Sequence, residues 1–199
     1  MITVVDYKLN NLRSIENTLK RLGHEVEVTS SPDKVRDASR LILPGVGAFR
    51  DAMANLTELG LIEPFVQKVR GGTPTLGICL GMHLLFSESE EFGLHQGLNL
   101  LPGRVRRIPE GVHVPHMGWN QLQMNQSDPL LEGVDAGSFV YFVHSYYAEP
   151  ASRELTLASV NHGINFAAVV HQNNIWATQF HPEKSQKVGE RLLDNFARL

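Results

Sequence analysis

The segment Thr75–Met82 places the strongest constraint on how this chain can fold. It reads TLGICLGM, which predicts a short apolar strand, a tight turn at Cys79 and then a helix. Glycines stand two residues to either side of Cys79, where they leave room for a sharp turn of the backbone. This pattern predicts a nucleophile elbow with cysteine in the place of serine. A lone cysteine is more often a small buried apolar residue, so the catalytic interpretation requires a base elsewhere in the chain.

The composition is that of a folded protein rather than a disordered chain or a coiled coil. The chain has 199 residues, of which 42% are hydrophobic and 20% charged, and this predicts one domain spanning residues 1–199. Its 18 basic and 21 acidic residues give a formal net charge of −3, without a block of like charge. We therefore expect neither a nucleic-acid partner nor binding to an anionic membrane.

The first residues and the cysteine usage bear on where the protein works. The chain starts MITVVD, without a basic region or a long apolar segment, so we expect neither a signal peptide nor a membrane span. Its single cysteine cannot form an internal disulfide, which fits a reducing compartment. Together these features predict a cytoplasmic protein.

Strand-like and helix-like segments alternate in the first half of the chain. The order β-α-β-α-β predicts a mostly parallel sheet with helices on both faces. From about residue 98 short strand-like runs dominate, and because no flexible linker precedes them we expect an antiparallel extension of the same sheet. The predicted strands are residues 2–5, 26–28, 41–43, 75–78, 105–108, 119–124, 139–143, 154–160, 166–170 and 175–180. The predicted helices are residues 12–22 with Asn10 or Asn11 as N-cap and Gly23 as the C′ glycine, a segment opening at 31–33, residues 49–59, residues 61–69, a segment from Cys79 into residues 87–91, and a final helix with Val188, Leu192 and Phe196 on its apolar face.

A glycine-rich loop, PGVG at residues 44–47, follows the third predicted strand. Backbone of this kind at the carboxyl end of a strand can approach a ligand closely, in the crevice where open α/β sheets bind. A dinucleotide-binding fingerprint is an alternative, but its third glycine is absent because position 50 is arginine. A plain turn remains the other alternative.

The candidate base is His181, at the end of an apolar run and directly before Pro182. The proline restricts the histidine backbone to extended geometry, which directs the ring. Glu183 is placed where it could accept a hydrogen bond from Nδ1 and fix the tautomer. The remaining histidines show no metal-binding spacing and there is no second cysteine, so the sequence predicts no zinc site.

The elbow at residues 77–82 together with residues 181–183 resembles the class I (triad) glutamine amidotransferases. Residues 44–47, residues 115–120 (PHMGWN) and residues 141–146 (YFVHSY) narrow the resemblance to glutaminases that act as a separate subunit in histidine biosynthesis. The similarity covers essentially the whole chain. It implies a flavodoxin-like α/β fold, in which a mostly parallel central sheet has helices on both faces and an antiparallel extension. It also implies that no metal or organic cofactor is needed.

The resemblance assigns a chemical role to several residues. Cys79, His181 and Glu183 would form a triad that hydrolyses L-glutamine to glutamate and ammonia through a cysteine thioester. The oxyanion hole would come from backbone N–H groups, and the substrate would be held by acidic, imidazole and backbone groups. The implied oxyanion residues are Val46, Gly47 and Leu80, and the implied substrate-binding residues are Glu91, His83, Ser145 and Tyr146. Because His83 stands where the family commonly has glutamine, and imidazole lacks the paired donor and acceptor of a carboxamide, its contribution to substrate binding is open.

The resemblance also implies a partner. Ammonia would be channelled to a cyclase subunit with a TIM-barrel fold, in a heterodimer. The residues matching positions that face this partner are Asn11, Trp119, Tyr141 and Lys184. Packing in the core is the alternative for Trp119 and Tyr141, since both lie in strand-like runs, and an ordinary solvated side chain is the alternative for Lys184.

Three alternatives remain at this point. Another class I glutaminase, such as that of pyridoxal phosphate synthase, shares the cysteine and the His-Pro-Glu sequence but typically lacks the PHMGWN run. A cysteine hydrolase of the same fold that acts on γ-glutamyl substrates would be fully active without a partner. A non-catalytic scaffold would fail to react with a glutamine-analogue alkylating agent at Cys79.

Overall fold

The computed structural model describes residues 1–8 and 12–199. Its strands are β1 (Ile2–Val5), β2 (Val26–Thr29), β3 (Leu41–Leu43), β4 (Thr75–Ile78), β5 (Phe86–Ser89), β6 (His95–Gln96), β7 (Leu101–Arg107), β8 (His116–Gln121), β9 (Gln123–Met124), β10 (Phe139–His144), β11 (Tyr146–Pro150), β12 (Thr156–His162), β13 (Ile164–Gln172) and β14 (Ile175–Thr178). Its helices are α1 (Leu12–Arg21), α2 (Pro32–Asp37), α3 (Phe49–Glu58), α4 (Ile62–Arg70), α5 (Leu80–Leu85) and α6 (Gln186–Arg198), and short 3₁₀ turns lie at Pro129–Leu131, Arg153–Leu155 and Pro182–Lys184.

The central sheet has eight strands in the order β2-β1-β3-β4-β14-β13-β12-β9. The pairs from β2 across to β14 are parallel, and those from β14 to β9 are antiparallel. The predicted mostly parallel sheet is therefore confirmed. Since β3, β4 and β14 are parallel neighbours, the segments that follow them leave the sheet at the same edge. Those segments are the glycine-rich loop, the Cys79 elbow and the His181 turn.

The second half of the chain forms more separate sheets than the sequence predicts. Strands β9, β12 and β13 form the expected antiparallel extension, but β8 and β10 form a separate two-stranded sheet. A third sheet has the order β11-β7-β5-β6. The helix expected to run into residues 87–91 ends at Leu85, because Phe86 is extended and starts β5, which pairs with both β6 and β7. Pairing with the two strands that follow thus overrides the helical pattern here.

Apolar side chains on the two faces of the central sheet form two hydrophobic clusters. In β3, Leu41 and Leu43 point to one face and Ile42 to the other, as the two-residue repeat of a strand requires. Helices α3, α4 and α5 cover the first face, and α1 and α6 cover the second. Leu192 and Phe196 in α6 are fully buried, which confirms the apolar face predicted for that helix.

The end of α1 confirms the predicted role of Gly23. Its φ is +89°, its N–H donates to the Lys20 carbonyl, and the N–H of His24 donates to the Leu19 carbonyl. This is the pair of hydrogen bonds that closes a helix with a left-handed C′ glycine. The predicted N-cap, Asn10 or Asn11, lies outside the described residues. Within residues 1–8 and 12–199, no helix has the length and apolar character needed to cross a membrane.

The two glycines of the elbow are required by close contacts. A Cβ on Gly81 would lie 1.7 Å from the Leu43 carbonyl oxygen, and one on Gly77 would lie 2.6 Å from Leu85 Cδ1. The start of α5 is therefore packed directly against the end of β3. Gly81 allows this approach, and Gly77 leaves room for Leu85, so both glycines allow the sharp turn that the sequence predicts.

Gly81→Ala tests this packing. We expect it to lower the free energy of unfolding by about 3 kcal/mol or more, since the new Cβ meets backbone that must shift. Gly60→Ala is a matched control, because Gly60 has φ +66° but a Cβ added there would meet nothing within 4 Å, so it bears only backbone strain of about 1–2 kcal/mol. Urea unfolding measures both, and equal losses would contradict the close packing of Gly81.

Candidate active site

Cys79 joins β4 to α5 in a conformation that non-glycine residues rarely adopt. Its φ and ψ are 53° and −109°. Two hydrogen bonds hold it there, since its N–H donates to the Thr178 carbonyl at 2.7 Å and its carbonyl accepts from the His83 N–H at 3.2 Å. A strained backbone of this kind costs about 1–3 kcal/mol and persists only where neighbouring structure enforces it. The predicted elbow is therefore present, with its cysteine at the apex.

His181 and Glu183 form a buried pair beside the elbow. His181 Nδ1 lies 2.8 Å from Glu183 Oε1, and each side chain is 2% exposed. Burial opposes the charged ring, but Cys79 and the Glu183 carboxylate outweigh it and raise the pKa of His181 above its usual value. Because Nδ1 is hydrogen-bonded to Glu183, Nε2 is the ring nitrogen that can exchange a proton with Cys79. The structure thus brings together the Cys79 thiol, the His181 imidazole and the Glu183 carboxylate, with the imidazole in the middle.

A cavity of about 280 Å³ opens in front of Cys79. It brings together the residues to which the family resemblance assigns oxyanion and substrate binding. They are Val46, Gly47, Leu80, His83, Glu91, Ser145 and Tyr146. Pro115, Val143 and His144 complete the lining, and the sequence had not assigned them a role.

The N–H of Leu80, an expected oxyanion donor, already has an acceptor in this structure. It donates to the Gly45 carbonyl at 3.3 Å. Val46 and Gly47, the other two expected oxyanion residues, come directly after Gly45. Gly47 has φ +102°, a conformation open mainly to glycine. An oxyanion can use the Leu80 N–H only after the Gly45 carbonyl has moved away.

Glu91 links the cavity to the start of α3. Its Oε2 accepts from the Phe49 N–H at 2.7 Å. Burial raises the pKa of Glu91 above its usual value, and this hydrogen bond acts in the opposite direction. The carboxylate is half-buried at the cavity wall, a position suited to an ammonium group.

His83 contacts the cavity but is engaged within the protein. Its Nε2 lies 2.7 Å from Gln179 Oε1, and Gln179 Nε2 lies 3.9 Å from Cys79 Sγ. Burial lowers the pKa of His83 to about 4, although the hydrogen bond to Gln179 partly offsets it. The ring is therefore neutral near pH 7, and Nε2 is not available to a substrate. Gln179 belongs to the same run as His181, but nothing in its spacing indicates this contact.

A chain of hydrogen bonds supports the Ser145–Tyr146 segment. His144 Nδ1 lies 2.9 Å from the Tyr146 carbonyl oxygen, so it donates and leaves Nε2 to accept from His116 Nδ1 at 2.9 Å. His116 Nε2 then accepts from Asn120 Nδ2 at 3.2 Å. Burial lowers the pKa of both rings, so both remain neutral. These histidines stand in the PHMGWN and YFVHSY runs, yet only the fold reveals that they contact each other.

Three of the residues expected to face a partner cluster at the surface. Trp119 is 45% exposed and its ring lies 5.9 Å from that of Tyr141, while Lys184 Nζ lies 5.9 Å from the Tyr141 ring centroid. Met117 and Phe139 on the same two strands are 62% and 52% exposed. We call Met117, Trp119, Phe139, Tyr141 and Lys184 the aromatic surface. Asn11 lies outside the described residues.

A comparison with protein families matches residues 3–199 to the family described as glutamine amidotransferase class-I. The chain belongs to the class I glutamine amidotransferases. Solved structures of this kind share its fold. A crystal structure of a glutamine amidotransferase covers 100% of both chains at 21% identity with a TM-score of 0.79. The glutaminase domain of Trypanosoma brucei CTPS with bound acivicin covers 99% of this chain and 93% of that one, at 16% identity and a TM-score of 0.67.

Within the family, similar curated proteins share one name. The protein from Syntrophotalea carbinolica is 51% identical over 98% of both chains, and its name is imidazole glycerol phosphate synthase subunit HisH. The protein of the same name from Geobacter sulfurreducens is 48% identical over 100% of this chain and 98% of its own length. The chain therefore belongs to this branch of the family, as the three narrower motifs indicate.

The burial of a neutral His83 predicts how stability depends on pH. The pKa of His83 is about 4 in the folded protein and about 6.5 in an unfolded chain. Its contribution to stability is therefore complete above pH 6.5 and is lost as pH falls towards 4, because the unfolded chain then binds the extra proton. Between pH 7 and pH 5, wild type should lose about 2 kcal/mol more than His83→Gln. Urea unfolding at both pH values measures this, and equal losses would show that the ring is not held neutral.

Proposed function

We propose that this protein is the glutaminase subunit of imidazole glycerol phosphate synthase in histidine biosynthesis. It hydrolyses L-glutamine to glutamate and ammonia and passes the ammonia to a cyclase subunit. The observation that carries the proposal is the placement of Cys79, at positive φ, between the buried His181–Glu183 pair and the 280 Å³ cavity. The full-length similarity to HisH subunits supports the choice of branch.

Hydrolysis begins with the Cys79 thiolate beside the protonated His181. The sulfur attacks the carboxamide carbon of glutamine, and the carbonyl oxygen becomes an oxyanion held by backbone N–H groups of the elbow and the glycine-rich loop. His181 gives its Nε2 proton to the departing nitrogen and the C–N bond breaks. Ammonia is released, and a γ-glutamyl thioester remains on Cys79. Glu183 accepts a hydrogen bond from Nδ1, so Nε2 is the nitrogen that gives and takes the proton, and the carboxylate stabilises the positive charge of the protonated ring.

The second half of the reaction releases glutamate. Neutral His181 accepts a proton from a water molecule, the hydroxide attacks the thioester carbon, and the C–S bond breaks. The sulfur leaves as thiolate and His181 is again protonated, so the starting state is restored. Glu91 suits the α-ammonium group of the substrate, and the backbone of Ser145 and Tyr146 suits its α-carboxylate.

The hydrogen bond between the Leu80 N–H and the Gly45 carbonyl supports low activity in the isolated subunit. While it is made, one oxyanion donor is unavailable, and losing a single such donor costs about 10²–10³ in rate. Binding of the partner has to favour a loop conformation that frees the Leu80 N–H. A stand-alone γ-glutamyl hydrolase, in contrast, needs its oxyanion hole ready at all times.

The aromatic surface is the docking site for the cyclase subunit in this proposal. The Tyr141 carbonyl accepts from the His181 N–H at 3.0 Å, and the Tyr141 N–H donates to Ser185 Oγ at 3.0 Å. A TIM-barrel partner that binds here, in a heterodimer, would thus contact backbone directly behind the candidate base. Residues 1–199 act as one glutaminase domain, and the reactive thiol suits the reducing cytoplasm.

Cys79→Ala tests the assignment. In the complex with a cyclase subunit and its nucleotide substrate, we expect the variant to lose glutamine hydrolysis and to retain synthesis from added ammonia, because the thioester cannot form. Wild type should hydrolyse glutamine strongly only when the partner is present. Glutaminase activity that persists in Cys79→Ala would contradict the proposed nucleophile. Equal wild-type activity without the partner would favour the stand-alone hydrolase.

Lys184→Ala tests the docking surface. We expect the ratio of cyclase product formed to glutamine hydrolysed to fall about two- to fivefold, corresponding to the ~0.5–1 kcal/mol of an exposed cation–π contact. The free energy of unfolding should hardly change, since Lys184 is exposed. Lys68→Ala, in α4 and outside the aromatic surface, is the matched control. An unchanged ratio in Lys184→Ala would argue against a role in ammonia transfer.

A further inference from the structure

Tyr7 places a buried hydroxyl group next to the elbow, and the mechanism above does not use it. It follows the end of β1, its side chain is 0% exposed, and its Oη donates to the Pro44 carbonyl at 2.5 Å. Desolvation on burial and the nearby Cys79 both raise the pKa of Tyr7, so the hydroxyl keeps its proton and remains a donor. The acceptor is the first residue of the glycine-rich loop.

The segment Pro44–Phe49, which runs from the glycine-rich loop to the first residue of α3, is held at both of its ends. Tyr7 Oη binds the Pro44 carbonyl at the start, and Glu91 Oε2 binds the Phe49 N–H at the end, at 2.7 Å. Between these points the Gly45 carbonyl accepts from the Leu80 N–H at 3.3 Å, the longest of the three hydrogen bonds. The middle of the loop is therefore the part best able to rearrange.

Tyr7 also packs against the part of the loop that contacts the elbow. A Cβ on Gly45 would lie 2.6 Å from Tyr7 Oη, 2.7 Å from Leu80 Cβ and 2.9 Å from the Gly81 nitrogen. Gly45 thus packs closely against the Tyr7 hydroxyl and the start of α5, with no room for a side chain on that side. It cannot move towards α5 without displacing one of these groups.

We propose that Tyr7 is a positioning residue for acyl transfer: by holding the Pro44 carbonyl, it confines the change that frees the Leu80 N–H to rotation of the Gly45–Val46 peptide. This inference rests on the proposed function. Oxyanion donors act only when aimed at the developing charge within about 2.7–3.1 Å. Without the hydroxyl, the Pro44–Gly45 peptide is free to rotate as well, and the donors of the loop lose their fixed direction.

Two reactions of Cys79 distinguish a role of Tyr7 in positioning the loop from an effect on Cys79 itself or on the fold as a whole. Glutamine hydrolysis passes through an oxyanion and needs the donors of the loop. Alkylation by iodoacetamide forms an S–C bond as iodide leaves with the C–I electron pair, and it creates no oxyanion. Loss of a positioning group for the loop should therefore slow hydrolysis and leave alkylation unchanged.

Tyr7→Phe removes only the hydroxyl and is tested in the complex with the cyclase subunit. We expect kcat for glutamine to fall about 10- to 100-fold, as for loss of part of an oxyanion hole. The KM for glutamine and the iodoacetamide rate should each stay within about twofold of wild type, because neither depends on the direction of the loop donors. Tyr147→Phe makes the same chemical change on β11, where the ring packs 5.8 Å from Phe166, and should behave as wild type in all three measurements.

Variants with non-natural residues keep the test decisive if the Phe side chain leaves a cavity that prevents folding. Replacing Tyr7 with para-aminophenylalanine retains an N–H donor to the Pro44 carbonyl and should keep kcat close to wild type. Replacing it with para-methylphenylalanine retains the bulk without a donor and should lose kcat as Tyr7→Phe does. Equal kcat in these two variants would overturn the proposal.

Two further outcomes would contradict the role of Tyr7. One is a kcat of Tyr7→Phe within twofold of wild type. The other is an iodoacetamide rate that falls in parallel with kcat, since the hydroxyl would then act on Cys79 or on the fold as a whole. A wild-type complex that hydrolyses no glutamine would instead contradict the proposed function itself, whatever the variants do.

Discussion

The parallel pairing of β4 with β14 is the contact on which the arrangement of the site depends. Ala177 lies opposite Gly77 and Thr178 opposite Ile78, so the chain leaves both strands at the same height and at the same edge of the sheet. Cys79 follows one strand and His181 the other. A slip of one residue in this register would turn the side chains of a strand to the opposite face and separate the two groups. The position of β3 beside β4 brings the glycine-rich loop to the same edge.

The elbow keeps a strained backbone because the surrounding packing leaves it little alternative. The Cys79 N–H is bound to the Thr178 carbonyl on β14, and Gly81 lies against the Leu43 carbonyl on β3. Both neighbours of β4 therefore hold the turn that follows it. Buried hydrogen bonds extend this support to the walls of the cavity, through Gln179 and His83 on one side and through His144 and His116 on the other.

The sequence predicts the parts of this protein that local patterns determine. The alternating strands and helices, the C′ glycine at residue 23 and the elbow at Cys79 each follow from residues close together in the chain. The separate sheets formed by β5–β8, β10 and β11 were beyond prediction, because they depend on pairing between distant strands. The same holds for Tyr7, whose contact with Pro44 arises only when β1 and β3 become neighbours. The direction of the Gly45 carbonyl was also beyond prediction, since a peptide beside glycine can adopt either orientation at low cost.

The hydrogen bond from Leu80 to Gly45 has a consequence beyond the chemistry of one turnover. Wherever copies of the proposed glutaminase outnumber those of its proposed partner, some of them lack a cyclase subunit. In those copies the carbonyl of Gly45 holds the Leu80 N–H that the oxyanion would need. A surplus of the proposed subunit would then hydrolyse little of the glutamine in the cell and release little free ammonia, without any inhibitor to restrain it.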